Sequence, residues 1–182
     1  IRDSKEIGWN PNGNSLSVVS FDSRYLQVQK ISNDIGVLTV WVQQGNAADI
    51  YAQIVGWDGN LMWAPGGIVI SDAENDQNNF TFDFNDIRSH SFLAREDYRN
   101  GQNFEIFGQV INLETGALNL EPVQFTSVLN DSLNNYNPTA ASITENEFVV
   151  IWEDGRGYIN EDPLLINGVD LYGSGYIIGQ GM

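Results

Sequence analysis

The sequence has no cysteine, one histidine (His90) and only 8 Lys and Arg against 24 Asp and Glu, a formal charge of −16. Without cysteine there is neither a disulfide framework nor a thiolate metal site, and a single histidine cannot build a multi-histidine zinc site. No G-x-S-x-G elbow accompanies His90, so a serine hydrolase triad has no nucleophile to serve. Scarcity of basic side chains argues against partners held through phosphates, so neither nucleic acid nor an anionic membrane surface is an expected partner. No run of 18 apolar residues occurs, and membrane insertion is not expected. The opening Ile1-Arg2-Asp3-Ser4-Lys5-Glu6 does not read as a signal peptide.

What is present suits short strands. Aromatics make up 12% of the chain and there are 18 glycines. No window sustains an apolar i, i+3, i+4, i+7 pattern, whereas short β-branched and aromatic runs between Gly, Asn and Asp recur throughout. The hydrophobic content of 42% permits one domain with a core.

These runs repeat. Asn135 to Arg156 reads NNYNPTAASITENEFVVIWEDGR: a short apolar run, a polar turn, a dense apolar run ending in Trp152, then Glu153-Asp154-Gly155-Arg156. Upstream, Phe92-Leu93-Ala94-Arg95-Glu96-Asp97-Tyr98-Arg99 is followed by Glu105-Ile106-Phe107-Gly108-Gln109, and Val37-Leu38-Thr39-Val40-Trp41 by Asp49-Ile50-Tyr51-Ala52-Gln53. Trp41, Arg95 and Trp152 fall at equivalent places, 54 and 57 residues apart. A period of this size, with four short strands in each of the first two full units and three in the third, predicts an all-β fold of β-propeller blades, with a β-sandwich as the alternative. The expected units are 1–20 (the last strand of a blade), 25–71, 80–126 and 138–182, about three antiparallel blades in one propeller segment of a longer chain. The near-continuous apolar character of each second strand predicts burial on both faces between neighbouring blades.

The phrase N-x-x-P, apolar strand, F-V-V-I-W-E-D-x-R, D-I-Y-A-Q, D-G-N-L-M-W resembles the blade repeats of large secreted bacterial surface proteins, many exported by the type IX route. The resemblance covers about 160 residues from Tyr25 onward, closest at Glu153-Asp154-Gly155-Arg156 and Asp49-Ile50-Tyr51-Ala52-Gln53. It implies a secreted or cell-surface bacterial protein. The first unit departs from it, with Val42-Gln43-Gln44-Gly45 where E-D-x-R belongs, and the third is interrupted by Tyr158 to Gly168.

A residue type restated in every unit is expected to serve what every blade needs. On that ground Glu96, Asp97, Arg99, Glu153, Asp154 and Arg156 are read as turn caps and inter-blade charge pairs, and Trp41 and Trp152 as packing residues. Function is expected where the repeat breaks. The interrupting loop carries Tyr158, Asn160, Glu161, Asp162, Leu164 and Leu165, a candidate contact surface for a protein or glycan ligand. Asp72, Glu74 and Asp76, with Asp83, offer oxygen ligands for a candidate calcium site, without the glycine and terminal glutamate of the helix-loop-helix loop. Asn79-Phe80-Thr81 and Asn130-Asp131-Ser132 match the glycosylation sequon.

With no catalytic constellation apparent, the leading expectation is a non-catalytic interaction or adhesion scaffold. Its expected partners are other blades or domains of the same protein, or another copy of the chain. The alternatives are a glycoside hydrolase or lyase using paired carboxylates, Asp97 and Asp154 among them, and a lectin presenting Trp9, Trp57 and Trp63 to sugars.

Overall fold

The computed structural model describes residues 9–17, 21–85, 87–126, 133–155 and 170–179. These form eleven strands: β1 (Asp22–Ser32), β2 (Gly36–Gln44), β3 (Ala48–Gly56), β4 (Ile68–Ser71), β5 (Gln77–Phe84), β6 (His90–Asp97), β7 (Glu105–Asn112), β8 (Leu118–Gln124), β9 (Asn135–Ser142), β10 (Glu147–Asp154) and β11 (Asp170–Ile177). They make three antiparallel sheets in the orders β1-β2-β3-β4, β5-β6-β7-β8 and β9-β10-β11. Each sheet is a simple meander that exchanges no strand with another, whereas sandwiches of the Greek-key type need such crossings. The fold is all-β, built of propeller blades. Among the described residues no helix is long and apolar enough to cross a membrane.

The chain divides into two compact units, Ile1–Asp72 and Ala73–Met182. In the first, β2 pairs with β3 without a break from Gly36↔Gly56 to Gln44↔Ala48. Trp41 stacks on its cross-strand partner Tyr51 with ring centroids 6.1 Å apart, and such pairs are the unit of sheet stabilisation. The fourth strand of the unit expected over 25–71 is short, four residues from Ile68 to Ser71. Leu61 makes one isolated bridge to Val55 and regular pairing resumes only at Ile68. Between them Pro65 lacks a donor, and Gly66 and Gly67 turn the chain at φ of 90° and 84°. Ser15 to Ser17 form no strand, and Val18 to Ser20 of the expected opening strand lie outside the described residues.

In the second unit the sheets β5–β8 and β9–β11 pack face to face. β6 and β7 contribute Phe92, Ala94, Ile106 and Val110 to a core completed by Ala140, Phe148, Val150, Trp152 and Tyr176. Phe92 is its centre, with ring centroids 5.1 Å from Phe148, 5.5 Å from Tyr176 and 6.0 Å from Phe125. Gly108, opposite Ala94, admits this packing: a Cβ there would lie 2.3 Å from the Phe92 ring and 2.7 Å from that of Phe125.

β2 and β6 are buried along both faces, as their apolar sequences predict. β10 is not. Its Phe148, Val150, Trp152 and Asp154 are buried while the alternate residues are partly or fully exposed. A strand as apolar as FVVIW is therefore buried on one face and partly or fully exposed on the other.

Each sheet begins on a strand with the same irregularity. Pairing slips between Arg24 and Gln27 in β1, between Asn78 and Thr81 in β5, and between Tyr136 and Thr139 in β9. At each slip one residue turns left-handed: Tyr25 (φ 53°), Asn79 (φ 40°) and Asn137 (φ 50°). Such a bulge re-aims the local N–H and side chain out of the ladder. Asparagine tolerates that conformation better than most residues.

Candidate active site

The two asparagine bulges of the second unit converge on the ends of β6 and β10. Glu96 is buried, with 6% of its surface exposed. One of its oxygens, Oε1, accepts the backbone N–H of Asn137 at 2.8 Å and a short hydrogen bond from Asn79 Nδ2. Asn79 Nδ2 also reaches Asn137 Oδ1 at 2.8 Å, and Asn137 Nδ2 donates to Glu153 Oε2 at 2.9 Å. Asn137 thus joins two carboxylates, holding the buried one by its backbone and the half-buried one by its side chain.

Burial is the main reason that the Glu96 carboxyl is held above the usual carboxylate range; the charge of Glu153 adds to it, against the two hydrogen bonds. Both donors go to Oε1, which leaves Oε2 to carry a proton. Two carboxyl groups in unlike surroundings, one buried and favouring its acid form and one more open, make the arrangement from which acid and base roles separate.

Beside this pair, Asp97 anchors two arginines. Arg95 Nε donates to Asp97 Oδ2 at 3.1 Å, and Arg99 reaches Oδ1 at 2.9 Å and Oδ2 at 2.6 Å. Arg99 lies over the Phe107 ring, 4.0 Å from its centroid. Arg95 is fully buried, and burial lowers its pKa to about 10 against the opposing pull of Asp97. Its two terminal nitrogens have no hydrogen-bond partner among the described residues. The acid of this cluster is therefore committed to its arginines.

The other sequence candidates lie elsewhere. Tyr158, Asn160, Glu161, Asp162, Leu164 and Leu165, with Arg156, fall outside the described residues. Asp72 ends the first unit, while Glu74 and Asp76 lie in an exposed turn before β5 in the second. The carbonyls of Ala73, Glu74 and Asn75 in that turn accept the side-chain amide of Gln77. Asp83 accepts the N–H groups of Phe84 and Ser142. Among the described residues no group of three or more His, Asp or Glu is placed to hold a metal ion. His90 begins β6, at the opposite end of the strand from Glu96, with Nδ1 2.9 Å from Ser89 Oγ. Trp41 and Trp152 are buried, as is Trp63, while Trp9 and Trp57 are exposed and anchor their indole N–H groups on the carbonyls of Trp57 and Ser32. In the sequon at Asn79 the side-chain amide is spent on Glu96 and Asn137; Asn130 is outside the described residues.

Asn79 and Asn137 were not singled out as site residues by sequence reasoning. The available signal was spacing: each precedes its glutamate by 17 and 16 residues, within a run that otherwise reads as a strand.

No family model matches this chain, and no curated protein sequence does. In structure it is similar to the GH93 alpha-L-arabinofuranosidase of Fusarium graminearum, solved in complex with arabinobiose, with TM-score 0.57 and 16% identity over 84% of this chain and 46% of that one. It is also similar to the endo-arabinase of Bacteroides thetaiotaomicron VPI-5482, with TM-score 0.48 and 9% identity over 87% of this chain and 57% of that one. This chain thus spans about half the length of each. At such identity the first likeness establishes the fold. The expectation of a non-catalytic adhesion scaffold is corrected in favour of its hydrolase alternative, because a solved protein similar in fold is a glycosidase. The repeated glutamates, read from the sequence as turn caps and inter-blade charge pairs, are joined here through Asn137, one of them buried.

Proposed function

We propose that this chain belongs to a glycoside hydrolase, with Glu96 as general acid and Glu153 as the partner carboxylate. One observation carries the reading: a buried glutamate whose pKa is raised is joined through Asn137 to a second, more open glutamate. Glycosidic cleavage needs this division of labour. An acid protonates the leaving oxygen while a carboxylate faces the positive charge that builds at the anomeric carbon. Glu96 Oε2 gives its proton to the leaving oxygen, Glu153 supplies the negative charge, and a water completes the cleavage, its hydroxyl going to the anomeric carbon and its proton back to the carboxylates. Asn137 fixes their relative position from a rigid strand, and the exposed Asn79 and Asn137 amides border the place where a sugar hydroxyl can bind.

Arabinose-containing oligosaccharides are the first substrates to try, since the structural neighbour was solved with arabinobiose. A polymeric glycan is met outside the cell, and the resemblance of the blade phrase to exported bacterial surface proteins supports secretion, the type IX route included. The test is product analysis by mass spectrometry after incubating the chain with arabinan, xylan, pectic and glucan oligosaccharides. Release of shorter oligosaccharides from at least one is expected, and no cleavage of any would refute the reading.

A further inference from the structure

We propose that Asn79 is a positioning residue for the acid Glu96: its side-chain amide confines the proton to Oε2 and steadies the charge left on the carboxylate once that proton is given away. The role rests on the hydrolase reading, while the contact itself does not. Asn79 Nδ2 donates to Glu96 Oε1 from the bulge of β5, within one sheet, and reaches Asn137 Oδ1 at 2.8 Å. With the Asn137 N–H on the same oxygen at 2.8 Å, Oε1 faces two donors and only Oε2 is placed to hold a hydrogen. Such donors bind an ionised carboxylate more strongly than a neutral carboxyl. They therefore oppose the burial that keeps Glu96 protonated, and their hold strengthens as the proton leaves.

The three sheets contain their own comparison. In each, the left-handed bulge residue follows the one paired with the same place on the second strand: Arg24 pairs with Val42, Asn78 with Glu96 and Tyr136 with Glu153. Where that place holds valine the bulge residue is Tyr25, at φ 53°, so the turn does not itself require asparagine. Where it holds glutamate the bulge residue is asparagine. In both of those sheets its Nδ2 reaches the glutamate of its own sheet, Asn79 to Glu96 and Asn137 to Glu153. The amide accompanies the carboxylate rather than the bulge. Among the described titratable groups on the strands around Glu96, Glu153 acts on it from β10. On β9, Tyr136 lies against Phe104, and on β5, Asp83 accepts the N–H groups of Phe84 and Ser142. Strand alternation turns Arg95 and Asp97 to the other face, with Asp97's cross-strand neighbour Glu105 and its partner Arg99.

The experiment titrates the glutamate side-chain carboxyls by carbon-13 NMR in the wild type, Asn79→Gly and Asn79→Asp, with Glu96→Gln identifying the Glu96 signal. Beside it, kcat is followed against pH on the oligosaccharide that the wild type cleaves best. Glycine takes the left-handed conformation without strain and aspartate tolerates it, so both variants should keep the wild-type circular dichroism. The Glu96 midpoint is expected to rise in Asn79→Gly, and further in Asn79→Asp, where a third carboxylate replaces the donor. The pH above which kcat falls should rise with it, and the rate below that limit should drop by about tenfold. A Glu96 midpoint that is unchanged or lower in Asn79→Gly overturns the proposal, whatever the activity. A raised midpoint with an unmoved kcat profile overturns the part of Asn79 in the reaction. If the midpoint rises but no chain, wild type included, cleaves a glycan, the hold of Asn79 on Glu96 stands and the hydrolase reading fails instead.

Discussion

Asn137 donates its backbone N–H to Glu96 at 2.8 Å and its side-chain amide to Glu153 at 2.9 Å, so one bulged residue on β9 orients both carboxylates of the candidate site. Glutamine in place of Glu96 keeps an acceptor for that N–H, while alanine leaves the part-buried donor without one. Glu96→Gln is therefore expected to change stability by less than about 1 kcal/mol, and Glu96→Ala to cost about 1–3 kcal/mol. Urea denaturation followed by tryptophan fluorescence distinguishes the two.

The raised pKa of Glu96 has a pH signature with a definite sign. Between the ordinary value of 4.5 and its raised value in the folded chain, the native state holds more protons than the unfolded state. Stability from this group is greatest below that window and declines as pH rises through it. Melting temperatures of the wild type and Glu96→Gln across pH 4 to 8 should show a wild-type decline that the variant lacks, the difference cancelling all other groups. A difference constant across that range would contradict the assignment.

Asp97 is the only acid within hydrogen-bonding distance of the fully buried Arg95 among the described ion pairs. Removing its charge strands a buried guanidinium, and breaking such a pair from one side costs about 3–5 kcal/mol. Asp97→Ala is expected to fall in that range by chemical denaturation. Arg95→Met, which removes the buried charge and leaves Arg99 on Asp97, should cost markedly less.

Gly108 and Gly173 hold equivalent register positions, yet their surroundings differ. A methyl group at Gly108 meets the rings of Phe92 and Phe125 in the packed core, whereas at Gly173 the nearest atoms are Val150 O at 3.3 Å and Ile151 Cγ1 at 3.4 Å. Gly108→Ala is expected to destabilise by about 1–3 kcal/mol, and Gly173→Ala by clearly less, when both are measured by urea denaturation of the monomer.

The blades were legible because strand chemistry repeats in the chain. The dense runs ending in Trp41, Arg95 and Trp152 became β2, β6 and β10, and the phrases around Tyr51 and Phe107 became their pairing partners. The break in the fourth strand was less visible, because Met62 and Trp63 read as strand while Pro65, Gly66 and Gly67 decide against it. The site was the least legible. Repetition of Glu-Asp marked Glu96 and Glu153 as equals, but their chemistry differs because one faces a neighbouring sheet and the other an open face. That asymmetry belongs to the packing of sheets, which no single strand encodes. The bulges at Asn79 and Asn137 were hidden in the same way: a left-handed turn within a strand leaves only an asparagine as its trace.

The most direct test of the hydrolase reading is kcat/KM on the oligosaccharide the wild type cleaves best, measured for the wild type, Glu96→Gln and Glu153→Gln. Loss of the acid is expected to lower kcat/KM by about a hundredfold to ten-thousandfold, with wild-type activity falling as pH rises through the Glu96 pKa. Glu153→Gln is expected to lose activity on a similar scale. Wild-type rates in both folded variants would contradict the account.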